Sequence, residues 1–263
     1  MRFGLPCRVT EQGGSDREAP FTMIDCTAPE MATQDHFVAI CEALLDWLGD
    51  RPSMMAVGES VRRFAAMFQN LTRAPTQTIT GIIGELMVIF AARDTQATLA
   101  AWRTAFDQRF DFAVDDVRLE AKASSNRMRR HSFSHEQCHP PEGAEGIVVS
   151  LCVEASGGDM SLRELIQAIE PRLNGDHEAV FRLHETVAAT LGSNLLPGLD
   201  ACFDQQLAKQ SMLFFDLRAI PAARGSLPAC VSQVRFTTDL TAWPPLDSET
   251  LHRLSATRQG LLP

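Results

Sequence analysis

Apolar positions recur at helical spacing in "HFVAICEALLDWL", where Phe37, Ile40, Cys41, Leu44, Leu45 and Leu48 form one stripe and predict an amphipathic helix. A second helical segment, "GESVRRFAAMFQNL", follows Pro52. "TQTITGIIGELMVIFAARD" predicts a central helix, capped by Thr78 or Thr80, whose body is almost wholly apolar and therefore buried on most sides. The segment ahead of all three, around "TEQGGSDREAP", holds no sustained period and predicts extended or loop structure with one strand near Phe21 to Ile24.

Downstream the period changes to two. Strands are predicted at Phe110–Val114 and Val117–Ser124, with a third at His131–Ser134 leading into a short helix. "GIVVSLCVEA" is a continuous apolar run, as a strand covered on both faces requires. "SLRELIQAIEPRL" places Ser161 and Glu164 at capping-box spacing ahead of an amphipathic helix. "SMLFFDL" and "ACVSQVRF" add two strand-like runs near the C-terminus. Helices, clustered strands and then alternating helix and strand predict a mixed α/β sheet flanked by helices. The expected division is an N-terminal helical extension over 1–75, a core over 76–240 and a tail over 241–263.

The alternation places charge where it is costly. In "VRLEAKAS" Glu120 and Lys122 are neighbours on one face of a strand, and in "FDFAV" Asp111 stands alone on the polar side. If Asp115 and Asp116 form a two-residue turn, Val114 opposes Val117, Phe112 opposes Leu119, and Asp111 opposes Glu120. Opposed carboxylates repel unless a cation lies between them, which a divalent metal assisted by Lys122 would supply. In "IIGELMVIFAA" Glu85 is the lone charge, and Gly81 and Gly84 leave one helix face bare enough to approach a sheet.

Composition narrows the picture. With 263 residues and 45% apolar content the chain can bury a large core. No run reaches the roughly 18 consecutive apolar residues of a membrane helix, and "MRFGLPCRVTEQGG" lacks a signal-peptide core, so a cytoplasmic protein with no membrane partner is expected. The seven cysteines have no C-x-x-C spacing and read as reduced thiols. A net charge of −9 argues against blind polyanion binding, yet Arg118, Lys122, Arg127, Arg129 and Arg130 stand against the single Glu120 in a local basic strip. His131, His135, Cys138 and His139 crowd together without the second ligand pair that structural zinc requires. Nucleotide-binding glycine motifs and G-x-S-x-G do not occur.

These residues resemble the PD-(D/E)XK nuclease superfamily, and within it the uncharacterised motif proteins found beside bacterial restriction and phage-defence genes. The resemblance is carried by "GIIGEL", Trp102, the "DF" of Asp111, the "EAK" of Glu120 to Lys122 and "HSFSHEQ", with "MSLRELIQAI" and "FFDLRAIPAARGSLPACVSQVRF" continuing it, over residues 35 to 240. Where the superfamily's name carries a proline, this chain has Phe110, a position without a chemical role. The resemblance implies a restriction-endonuclease-like core and a Mg²⁺-dependent DNA endonuclease, with Mn²⁺ as a substitute ion. Asp111 and Glu120 are the expected ligands, with Glu85 bound through a metal-held water or a second ion. Lys122 would position or deprotonate water, and Gln137 would orient water or touch phosphate. Arg127, Arg129, Arg130 and His131 would meet DNA. Other defence-system proteins or a second copy of the chain are the further expected partners. The competing expectation is a noncatalytic DNA-binding or assembly subunit on a degenerate nuclease fold.

Overall fold

The computed structural model describes residues 2–10, 13–14, 16–27, 31–104, 108–257 and 260–262. The chain divides into two compact units, Met1–Glu42 and Ala43–Pro263. In the first, β1 (Arg2–Thr10) and β2 (Asp16–Met23) form an antiparallel hairpin running from Thr10 opposite Asp16 to Arg2 opposite Met23. This corrects the expectation of loop with a lone strand: within "TEQGGSDREAP" Thr10 ends β1 and residues 16–20 open β2. Helix α1 (Met31–Leu48) spans the boundary, with Ile40 and Leu44 buried but Leu45 64% exposed, so the expected stripe is narrower than its apolar residues.

In the second unit α2 (Met54–Asn70) starts where the Ser53 side chain accepts from the Ala56 N–H, four residues before the segment expected. Helix α3 (Ile79–Ala91) is capped by Thr78, and residues Ile82 to Ile89 are all buried. After α4 (Thr95–Ala101) come β3 (Phe112–Val114) and β4 (Val117–Ser124), joined by the two residues Asp115 and Asp116. Asp115 takes a φ of 44°, a conformation that aspartate tolerates in tight turns. Val114 pairs with Val117 and Phe112 with Leu119, the register the alternation predicts.

β5 (Arg130–Ser134) leads into a turn, where a short helix was expected. The apolar run becomes β6 (Glu145–Cys152), buried from Gly146 onward because it lies between β4, parallel to it, and β9 (Leu213–Asp216), antiparallel to it. The central sheet therefore has the order β3-β4-β6-β9 and is mixed. β7 (Ala155–Ser161) ends on the capping box of Ser161 and Glu164 that opens α5 (Leu162–Ile169). Then follow α6 (His177–Leu191), α7 (Leu195–Leu199), β8 (Cys202–Phe203), which pairs with β7, and α8 (Gln205–Gln210). β10 (Arg235–Asp239) pairs with β5, and α9 (Ser248–Thr257) follows. Of "ACVSQVRF" only Arg235 and Phe236 join a strand. Among the described residues no helix is long and apolar enough to cross a membrane.

What positions the site is the contact between α3 and β4. A Cβ on Gly84 would stand 2.7 Å from the Ala123 Cβ, so only glycine lets the helix lie this close to the strand. Beneath the site Phe110, Phe133, Val148 and Phe215 belong to one buried apolar cluster. The result is a mixed sheet flanked by helices, as a restriction-endonuclease-like core requires.

Candidate active site

Phe112 is the first residue of β3 and its ladder with β4 begins there, so the position before it, Asp111, falls beside β4 without a backbone partner there. Its carboxylate takes over: Asp111 Oδ2 accepts from the Ala121 N–H at 2.9 Å. This fixes Asp111 next to Glu120 and leaves its side chain 15% exposed. On β4, Lys122 Nζ lies 2.6 Å from Glu120 Oε1 and 5.1 Å from the centroid of the Phe133 ring. The strand period put both charged groups on one face, and the structure keeps them there.

Gln137 reaches the same oxygen. The Ser134 N–H donates to Gln137 Oε1 at 3.0 Å, and the Gln137 N–H donates to Ser134 Oγ at 3.1 Å. This reciprocal clasp leaves the amide NH₂ free to turn away, and it donates to Glu120 Oε1 at 2.6 Å and to the Arg109 carbonyl at 3.2 Å. Glu120 Oε1 is thus held by two donors. Its partner oxygen, Oε2, is buried with no hydrogen bond among the described residues.

An unsatisfied buried carboxylate oxygen is costly. Burial is the first cause that raises the Glu120 pKa above the usual carboxylate range, against the opposing pull of Lys122. Asp111 is raised well above that range, first by burial and then by the charges of Glu120 and Glu85. Lys122 loses basicity to burial but regains more from the charge and hydrogen bond of Glu120, so it stays an ammonium. Two desolvated, mutually repelling carboxylates with one open oxygen fit a divalent cation. Among the described residues no group of three or more His, Cys, Asp or Glu side chains is arranged to hold a metal ion. A carboxylate pair of this kind has the oxygen chemistry of a hard divalent cation that keeps several waters, and not the ligand set of structural zinc. His135 and His139 stack at 4.2 Å instead of converging on an ion.

Glu85 is adjacent but differently committed. It is fully buried, and each of its oxygens accepts two hydrogen bonds. Oε1 takes Gln77 Nε2 at 2.6 Å and Arg103 Nη2 at 2.7 Å. Oε2 takes Trp102 Nε1 at 2.6 Å and Arg103 Nε at 2.8 Å. Gln77 folds over Gly81, where a Cβ would meet its side chain at 2.8 Å. Trp102 is brought in by a bridge to Phe112, and the Arg103 N–H donates to the Asp111 carbonyl at 2.7 Å. Arg103 and Gln77 escaped sequence reasoning because each lies outside any period. The available signal was physical: a lone glutamate inside an apolar helix demands donors from elsewhere.

The basic strip separates into two kinds of residue. Arg127 is exposed, with an ion pair to Glu154 at 3.3 Å, and Arg130 is exposed beside Asp239. Arg129 and His131, expected to meet DNA, are turned inward. Arg129 Nη1 donates to the Ser150 carbonyl and hydroxyl at 2.7 and 2.8 Å, and Nη2 donates to the Ser211 carbonyl. His131 Nε2 pairs with Ser150 Oγ at 2.7 Å, and burial first, then Lys122 and Arg129, lower its pKa to about 4. The physical reason is alternation along β5, which sends His131 and Phe133 inward together. Arg235, missed in the sequence, is exposed on β10 opposite Ser134 and within electrostatic reach of Lys122.

No curated protein and no solved structure matches the chain. Residues 8–241 match the family model described as "Putative PD-(D/E)XK family member, (DUF4420)". The match embraces α3, β3, β4 and the turn that carries Gln137, the parts from which the carboxylate pair and its lysine are built. The chain belongs to this PD-(D/E)XK family.

Proposed function

We propose that the protein is a Mg²⁺-dependent DNA endonuclease of restriction or phage-defence type, with Mn²⁺ as a substitute ion. The observation that carries the reading is the buried, unpartnered Glu120 Oε2 beside Asp111 and Lys122. Family membership supports the nuclease class, and the defence setting rests on the motif set alone.

Hydrolysis of a phosphodiester forms a bond from a water oxygen to phosphorus and breaks the bond to the departing sugar oxygen, while the proton lost by the water passes through solvent to that oxygen. When bound, a divalent ion supplies positive charge at the phosphate and lowers the pKa of water. Asp111 and Glu120 would hold it, and Gln137 would keep Glu120 Oε1 in place so that Oε2 stays available. Lys122, held by Glu120, would orient the attacking water and offset charge as the phosphorane-like transition state forms. Exposed Arg127, Arg130 and Arg235 would carry the DNA backbone past the site.

The test is cleavage of plasmid DNA with Mg²⁺. The wild type should cut, EDTA should stop it, and Lys122→Met, which keeps the aliphatic stem near Phe133, should lose at least about 10²-fold in rate while circular dichroism stays unchanged. Parental cutting by Lys122→Met, or cutting that survives EDTA, would contradict the proposal. Binding of DNA with no metal-dependent cleavage would favour the noncatalytic DNA-binding or assembly subunit.

A further inference from the structure

We propose that Arg103 is the fixed second cation of this site: its guanidinium takes the place between Glu85 and Asp111 that a second divalent ion would fill, so the centre loads one ion, on Asp111 and Glu120. The inference rests on the nuclease reading and sets its metal stoichiometry.

Three observations carry it. The first is saturation. Glu85 has two oxygens and four donors, two of them the fork of Arg103, so it presents no acceptor site to an ion unless that fork withdraws. The second is placement. Arg103 Nη2 lies 2.7 Å from Glu85 Oε1 and 4.0 Å from Asp111 Oδ1, so one permanently charged group neutralises the helix carboxylate and faces the strand carboxylate. Its side chain remains 30% exposed, which leaves charge available to a phosphate as well. The third is backbone cost. Arg103 adopts a φ of 47°, a left-handed conformation that a long side chain rarely takes. The geometry is held by the Trp102 bridge to Phe112 and by the Arg103 N–H on the Asp111 carbonyl. Strain of this kind persists where surrounding contacts enforce it, and here they aim the guanidinium at the gap between two acids.

A purely structural Arg103 would do no more than neutralise Glu85, and its loss would lower stability without altering how many ions bind. Mn²⁺ titration of the full chain without DNA, read by electron paramagnetic resonance and calorimetry, separates the two roles. The wild type should bind one Mn²⁺ per chain. Glu85→Gln, which removes a charge but no ligand, should change Mn²⁺ affinity by less than about tenfold. Arg103→Ala, which uncovers both Glu85 oxygens, should bind two. Should Arg103→Ala not fold, Arg103→Met, which keeps the aliphatic stem but neither the charge nor the fork, takes its place: two ions per chain support the inference and one overturns it. Two ions on the wild type, a loss of about tenfold or more in Glu85→Gln, or a folded Arg103→Ala that still binds one ion would overturn the inference. A wild type that binds no Mn²⁺ would instead overturn the nuclease reading on which it stands.

Discussion

His131 shows how the surroundings decide what a residue does. Its ring is 3% exposed, bonded to Ser150 and close to the charges of Lys122, Arg129 and Asp239. Because its pKa falls from 6.5 to about 4 on folding, the unfolded chain binds the proton first. This contribution to stability is intact above pH 6.5, is lost as pH falls towards 4, and is flat below; it spans about 3 kcal/mol. Asp111 and Glu120, whose pKa values rise on folding, act in the opposite direction, so the comparison must be between variants. Urea unfolding from pH 7.5 to 4.5 should show His131→Gln losing less stability with acid than the wild type does. Parallel curves would mean that His131 titrates as an ordinary surface histidine. At this scale the sequence displayed Asp111, Glu120 and Lys122, because a two-residue turn and period-two alternation leave one register that satisfies both faces. It could not display Gln77 and Arg103, whose bonds to Glu85 cross 8 and 18 positions with no repeating pattern.

Among elements, the decisive contact is α3 on β4. Gly84→Ala would set a Cβ 2.7 Å from the Ala123 Cβ, closer than carbon atoms approach, and should cost about 1–3 kcal/mol through displacement of the helix. Adding Ala123→Gly should recover part of that cost, since the two positions share one space. Chemical denaturation of the two single variants and the double variant measures the coupling; strict additivity would refute the close approach. The long periodic elements were legible: the buried α3, the capping box of α5, and β6 between two strands each carry a composition that matches their surroundings. The β1–β2 hairpin was not, because all the described burial states of β2 are exposed or intermediate and no apolar face marks it. Residues 229–234 mislead in the other direction, since apolar character without a neighbouring strand does not make a ladder.

Across the whole molecule, a net charge of −9 opposes DNA, so the proposed DNA path depends on local arginines. Arg127, Arg130 and Arg235 are exposed, Arg235 within electrostatic reach of Lys122, whereas Arg129 is an internal brace. Replacing the three exposed arginines with alanine should weaken DNA binding evenly across sequences and flatten the log–log salt slope by up to about three, with little effect on unfolding. An unchanged slope would place the DNA path elsewhere. The central claim is that folding brings Asp111 and Glu120 together as a divalent-ion centre beside Lys122. Anomalous diffraction from a crystal soaked in Mn²⁺ tests it most directly. The account predicts one peak per chain, about 2.0–2.6 Å from oxygens of both carboxylates and including Glu120 Oε2, with the Arg103 fork still on Glu85. No peak at that pair, or an ion seated on Glu85 in place of Arg103, would contradict it.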